Sequence, residues 1–509
     1  QDGSVKMAQI QNRESLMILI ATILVSASAI IMNVVVIIAL PTIQSSLNAT
    51  INQIQWVVGA YAICLSSLIL VSGSLGDIYG RKRVFVTGII IFVIGAILSS
   101  TASNIQELII FQAIQGTGAA LMIPGSLSIL VTNFPIEERG KAIGLWATSS
   151  GIITAIGPLA GGWTVENFGW SYIFLLTVPF SILGLLFTMK YIPESVKNKG
   201  KSLDIAGIVI IAISLFGISY ALISAPIIGW YHEYILISLT SGIVGTIIFF
   251  IYENRIENPI VPLKIFKDKQ VLGANIITLF VYFSFVGAIF FLSLNFQQIQ
   301  EYSPSETGLK LMPLVATIIL FSRPGGSLVD KFGPKKQLTF SPLLLVAGML
   351  WLSRSGINAN YSTDFLPALL LIGTAVGLMI APITKTALKV DQKYSGAASG
   401  VNNYIARIST LLTISVLGLI MISVFNSQLN SLIQTLQIDT YQKQIILEQS
   451  NNLAEIKIPD NFTNDAKIAI NNIIKTSFVS GFSWIMRVCA LIALLASITS
   501  TITIEENNE

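Results

Sequence analysis

Charge, histidine and cysteine are all scarce in this chain, and each scarcity closes off a class of function. Only 11% of the 509 residues are charged while 53% are hydrophobic, too few charges to clothe a water-soluble protein of this length. The chain is therefore read as an integral membrane protein. The single histidine, His232, rules out a histidine-based metal centre or relay and reads as an interfacial loop residue. Cys64 and Cys489 lie inside apolar segments, where small packing residues are expected rather than a disulfide or a metal site. No nucleophile and base pair, metal-ligand set or nucleotide loop emerges, so no enzyme and no cofactor are expected. The net charge of +4 sits in short clusters between apolar runs, without the basic stripe that binding nucleic acid needs. No cleavage pattern precedes the first long apolar segment, so no removed leader is expected.

What is present is apolar length. A bilayer span takes about 20 mostly apolar residues, and the sequence supplies fourteen such segments, from 16–40 to 478–503. Lys and Arg fall on alternate connections: Arg81, Lys82 and Arg83, then Arg139 and Lys141, then Lys331, Lys335 and Lys336, among others. By the positive-inside rule these connections and both termini are cytoplasmic, and the polar stretch 426–477 is an outer loop, read as partly helical.

The chain also repeats itself. GSLGDIYGRKR, from Gly73 to Arg83, returns as GSLVDKFGPKK from Gly326 to Lys336. Gly73, Asp77, Gly80 and Lys82 thereby align with Gly326, Asp330, Gly333 and Lys335. An internal repeat in a chain this apolar predicts a transporter of two related bundles. The expected domains are a six-helix bundle over 1–196, a two-helix membrane linker over 197–267, and a second six-helix bundle over 268–509 with the outer loop 426–477.

These motifs resemble the major facilitator superfamily. The Gly73–Arg83 turn is similar to its signature loop, and GIITAIGPLAGG, with Gly157, Pro158, Gly161 and Gly162, to the motif of its antiporters. Fourteen spans, Trp56 and Tyr61 in QWVVGAY, and GAASGVNN from Gly396 to Asn403 resemble the fourteen-helix drug/proton antiporter branch. The resemblance implies an all-α membrane fold that exports amphipathic small molecules by alternating access, with a latch at the signature loop in which Asp77 and Arg81 take part. Glycines in both motifs permit close helix approach, and Pro158 can bend its helix.

Two family charges are missing. The helix 1 aspartate position holds Met32, with Asn33 beside it, and the helix 4 arginine position holds Gln112. Losing both avoids stranding one buried charge, and Asn33 and Gln112 could replace the charged pair with a hydrogen bond. No carboxylate lies near the middle of a span: Glu107, Asp204, Glu253 and Asp364 fall at the edges. Arg407 and Arg487 lie inside spans, and Arg407 matches an arginine the branch often carries. Asn33, Tyr61, Gln112, Gln115, Asn402, Asn403 and Arg407 are the expected substrate path, and Asn295 to Gln298 an outer vestibule. A path with arginine and no carboxylate favours neutral, zwitterionic or anionic amphiphiles over cations. The alternative reading is a facilitator or importer of an anionic or neutral metabolite without proton antiport. A proton gradient is the expected driving force, a small molecule and the lipid bilayer the expected partners, and a monomer the expected state, with a periplasmic adaptor suggested by analogy alone.

Overall fold

The computed structural model describes residues 2–195, 204–256, 259, 261, 263–390 and 395–505. Within them the side chains of 2–13, 70–71, 73–74, 77, 136–141, 143–144, 147–148, 150–152, 154–155, 226–227, 330, 395–397 and 399 lie outside the description. Every regular element among the described residues is a helix, as long apolar runs require where the backbone must satisfy its own hydrogen bonds.

The first half comprises α1 (Asp2–Ser46), α2 (Ile51–Tyr79), α3 (Arg81–Ser100), α4 (Ile105–Asn133), α5 (Ile136–Phe168), and the short α6 (Tyr172–Leu176) with α7 (Val178–Tyr191). A hairpin of α8 (Ile205–Ile228) and α9 (Glu233–Glu253) follows. The second half comprises α10 (Lys269–Leu294), α11 (Pro304–Phe332), α12 (Pro334–Leu352), α13 (Leu366–Ala387), α14 (Ser395–Ile433), α15 (Thr440–Glu448) and α16 (Asn464–Thr503). Caps mark several starts: Thr50 with Gln53 closes a capping box at α2, and Ser303 with Glu306 does so at α11.

Packing repeats between the halves. In the first, α4 lies against α2 and α3, and α1 against α5 and α7; in the second, α13 lies against α11 and α12, and α16 against α10, α12 and α14. The hairpin's α8 touches one helix of each half, α2 and α14. Among the described residues eleven helical stretches are long and apolar enough to cross a membrane. The expected spans outside that set fall on α2 and α5, whose side chains are partly outside the description, and on α12, which opens with Pro334, Lys335 and Lys336.

The helices run between two contrasting ends. The basic end carries the turns at Gly80 and Gly333, with Arg81, Lys82, Lys335 and Lys336; the polar-loop end carries the connections at 47–50, 169–171, 300–303 and 434–463. The long polar connection is partly helical, through α15 and a 3-10 turn over Ser450–Glu455. Several helices outrun the expected spans: α1 begins at Asp2, α14 runs to Ile433, and α16 begins at Asn464, where buried Ile470 and Ile474 extend its apolar face beyond the span.

Candidate functional site

At mid-depth the halves enclose a small cavity lined by Met32, Asn33, Val36 and Ile37 of α1, Val58 and Tyr61 of α2, Gln112 of α4, Val286 of α10, and Thr410 and Ile414 of α14. Glycines fix this geometry. A Cβ on Gly116 would strike the Tyr61 carbonyl, so α4 meets α2 backbone to backbone where Tyr61 projects. At the residue before Gly116, a Cβ on Gly95 of α3 would lie 2.6 Å from the Gln115 nitrogen. Real Cβ atoms do not approach so closely, and the missing side chains place Gln112 and Gln115 against their neighbours.

The amides pair differently from the sequence expectation. Asn33 donates to the Ala29 carbonyl at 2.8 Å and to the Tyr61 hydroxyl at 3.4 Å. Gln112 donates to Gln115 Oε1 at 2.8 Å and to Ser99 Oγ at 3.0 Å. Asn33 and Gln112 line one cavity but bond to other partners, because each has a nearer acceptor on its own helix or on a helix already packed against it. Asn402 turns into its own half, donating to Asn275 Oδ1 at 3.1 Å and Thr278 Oγ1 at 2.8 Å. Asn403 is exposed. Arg407 is half-buried and lies within electrostatic reach of Tyr61. Among the described residues Arg407 makes no hydrogen bond or ion pair.

The polar-loop end of the interface is closed. Gly162 of α5 abuts the Pro304 carbonyl of α11, and Gly308 of α11 abuts the Pro158 carbonyl of α5, a reciprocal seam with no room for a Cβ on either side. On its other face α5 meets α1, where a Cβ on Gly161 would lie 2.7 Å from Val35 and one on Gly157 3.0 Å from Val34. Just beyond the apolar run, the exposed Glu166 accepts from Ser303 Oγ at 2.9 Å and from the Ser305 amide at 3.2 Å. Hydrogen bonds from the Ser305 side chain, the Ser303 side chain and the Ser305 amide, in that order, hold its carboxyl below the ordinary range. Gln297 donates to the Ile38 carbonyl at 2.8 Å and Gln298 to Gln44 Oε1 at 3.0 Å, while Gln44 donates to the Asn452 carbonyl at 3.0 Å. Asn295 to Gln298, expected as a wet vestibule, instead form a π-helical turn within this seal, with Asn295 fully buried.

At the basic end Gly80 (φ +102°) and Gly333 (φ +74°) occupy the left-handed region, so both repeats turn on a residue without Cβ. The Arg81 amide donates to Ser195 Oγ at 2.9 Å and the Lys82 amide to Glu194 Oε1 at 3.2 Å. Arg83 sits 3.6 Å from the other Glu194 oxygen, and the Arg81 guanidinium donates to the Ser128 carbonyl at 3.3 Å. Glu194 escaped the sequence reading; its place beside Pro193, directly after α7, was the available signal. The side chains of Asp77 and Asp330, and Gly73, lie outside the described residues, while Gly326 is half-buried beside Ala381.

The Major Facilitator Superfamily model matches residues 19–414. The chain belongs to that superfamily of membrane transporters. Among curated relatives it is 30% identical over 443 residues to the multidrug resistance protein Stp of Mycobacterium tuberculosis (strain CDC 1551 / Oshkosh), covering 86% of this chain and 81% of that one. To the tetracenomycin C resistance and export protein of Streptomyces glaucescens it is 28% identical, over 76% of this chain and 72% of the relative. The fold is similar to the crystal structure of the POT family transporter PepTSo, with a TM-score of 0.64 at 14% identity over 96% of this chain and 97% of that one. A bacterial homolog of the human lysosomal transporter Spinster, inward-facing and unoccupied, matches with a TM-score of 0.61 at 15% identity, covering 96% and 98%. The protein is thus a multi-pass membrane transporter that binds small molecules within a lipid bilayer.

Proposed function

We propose that this chain exports amphipathic small molecules across the cytoplasmic membrane by alternating access, and that it is a transporter and not an enzyme. The observation that carries the reading is the mid-depth cavity, lined from both halves, beneath a sealed polar-loop end. Relatives named as multidrug resistance and export proteins support it. With Lys and Arg gathered at the basic end, that end and both termini are cytoplasmic, and the sealed end faces outward. The domains are then 1–196 and 268–509, joined by a linker over 197–267 that completes fourteen spans, and the chain acts as a monomer. Asp77, Arg81 and Asp330 with the glycines of both turns work the inner gate.

The cavity lining contains no aspartate or glutamate. That composition supports neutral, zwitterionic or anionic amphiphiles as the substrate class, with Arg407 as the proposed anion-side contact. It equally favours a second reading, a facilitator without proton antiport, since a coupled proton needs a titrating group. Proteoliposomes with an internal pH dye separate the two: proton flux that follows substrate supports antiport, and substrate movement without it supports the facilitator. Under the first reading Arg407→Ala lowers transport of anionic substrates about tenfold, equivalent to about 1.4 kcal/mol. A response confined to cations and unchanged in Arg407→Ala would overturn the substrate class.

A further inference from the structure

A second cavity, of about 500 Å³, opens at the polar-loop end between α12 and α16, away from the interface of the two halves. Its lining includes Arg354, Ser355, Ser480, Ser483, Trp484 and Arg487. No acidic residue lines it, and among the described residues neither arginine forms an ion pair. We propose that this cavity binds a phosphate-bearing anion between Arg354 and Arg487, and that the phosphate belongs to a lipid headgroup of the leaflet at that end.

The pocket is built rather than incidental. Arg354 is carried by a hydrogen-bonded turn that ends α12, in which the Arg354 amide donates to the Trp351 carbonyl at 3.1 Å and the Ser355 amide to the Leu352 carbonyl at 3.1 Å. Ser483 Oγ donates to the Ser353 carbonyl at 2.6 Å and fastens that turn to α16. The Ser355 hydroxyl, in a residue only 3% exposed, has no hydrogen-bond partner although it borders the cavity. Such a group normally finds one. Two guanidinium forks and an unsatisfied hydroxyl supply the donors that a phosphate's acceptor oxygens require.

Depth decides the source. Arg487 lies 16 residues before Thr503, where α16 ends, or about 24 Å along the helix, so it stands near the far edge of an apolar core about 30 Å thick. Its guanidinium lies 5.6 Å from the Trp484 ring centre. Trp484 and Trp351 are both about half exposed, forming the interfacial aromatic belt at which headgroups sit. A headgroup phosphate is anchored at this level, whereas a free phosphate must be drawn from dilute solution.

The test uses the full-length protein in nanodiscs of zwitterionic phosphatidylcholine doped with phosphatidylglycerol, reading retained lipid by native mass spectrometry. The wild type is expected to retain phosphatidylglycerol, with retention reduced about fivefold or more in Arg354→Gln and in Arg487→Gln and abolished in the double variant. Lys335→Gln, at the basic end, serves as the charge control and leaves retention unchanged. A melting curve in pure phosphatidylcholine confirms that each variant folds; Ser355→Ala, with its smaller expected loss, covers an arginine variant that does not. A parallel titration with inorganic phosphate separates the sources. Arginine-dependent stabilisation by inorganic phosphate, without arginine-dependent retention of phosphatidylglycerol, overturns the lipid assignment. Equal lipid retention by wild type and double variant, with no phosphate response, overturns the site.

Discussion

The turn at Gly80 and the turn at Gly333 share a backbone and differ in what fastens them. Both join two packed helices through a glycine in the left-handed region. In the first half the turn is held by the tail of α7, where Glu194 and Ser195 meet the amides and cations of residues 81–83. In the second half neutral groups do the same work. Gln337 donates to the Gly325 carbonyl at 3.1 Å and the Leu378 carbonyl at 2.6 Å, and Ser500 lies 3.1 Å from Thr339. Repetition has kept the conformation and left the chemistry free to diverge. The described contacts of the first turn include a carboxylate and are expected to weaken with salt, while those of the second are between neutral groups.

Substitutions at paired positions test whether the two halves respond alike. The largest effect is expected at the reciprocal seam, where each half contributes one glycine. Gly162→Leu and Gly308→Leu should each oppose closure of the polar-loop end by about 1–3 kcal/mol, lowering transport about tenfold or more. Faster thiol labelling of a cysteine placed at Ser305 would report the opening, and unequal effects would show the seam to be asymmetric. Next come the turns. Gly333→Ala should cost about 1–2 kcal/mol through its backbone conformation, and Gly80→Ala somewhat more, because its new Cβ, 2.5 Å from a Glu194 oxygen, would push that carboxylate off the Lys82 amide. Melting temperatures in one detergent measure the order, and equality would remove the distinction drawn here.

Smaller effects test the fastenings themselves. Gln337→Ala should lower stability by about 1–2 kcal/mol, having lost two bonds to carbonyls. Glu194→Gln should cost less than about 1 kcal/mol, because its partner Arg83 is exposed, and only that difference should shrink with added salt. The smallest concerns acid. The Glu166 carboxyl is depressed from 4.5 in the folded chain, so its contribution is full above that value and is lost as pH falls through the lower folded value. Thermal unfolding between pH 6 and pH 3 should show this loss in the wild type, and Glu166→Gln should lack it.

Apolar length and the repeat made the helical fold legible, since both are properties of consecutive residues. Asn33, Tyr61 and Gln112 were singled out as polar groups within spans, and one cavity brings them together. Their bonding partners were not legible, because hydrogen bonds follow helix rotation and rotation is set by glycines such as Gly95 and Gly116 on other helices. Asn402 shows the consequence: its depth was readable, but its direction, into α10, was not. The seal at Glu166 was hidden for a different reason. Its partners lie over a hundred residues away, and Ser303 also caps α11.

The α8–α9 hairpin touches both halves on unequal terms. Toward α2 it offers polar and aromatic attachments: Asn52 donates to the Ile223 carbonyl, and the Trp56 ring lies 5.6 Å from Phe216 and 6.3 Å from Tyr220. Its neighbour in the other half is α14. In the proposed alternating access, a hairpin that moves with the first half would leave α14 as the sliding surface. The exposed apolar face of α9, with Ile237, Ile243, Ile247 and Phe250, would then travel with the first half and drag its lipid. The two halves would then sweep unequal areas of bilayer, making membrane viscosity and lateral pressure part of the load on each transport cycle.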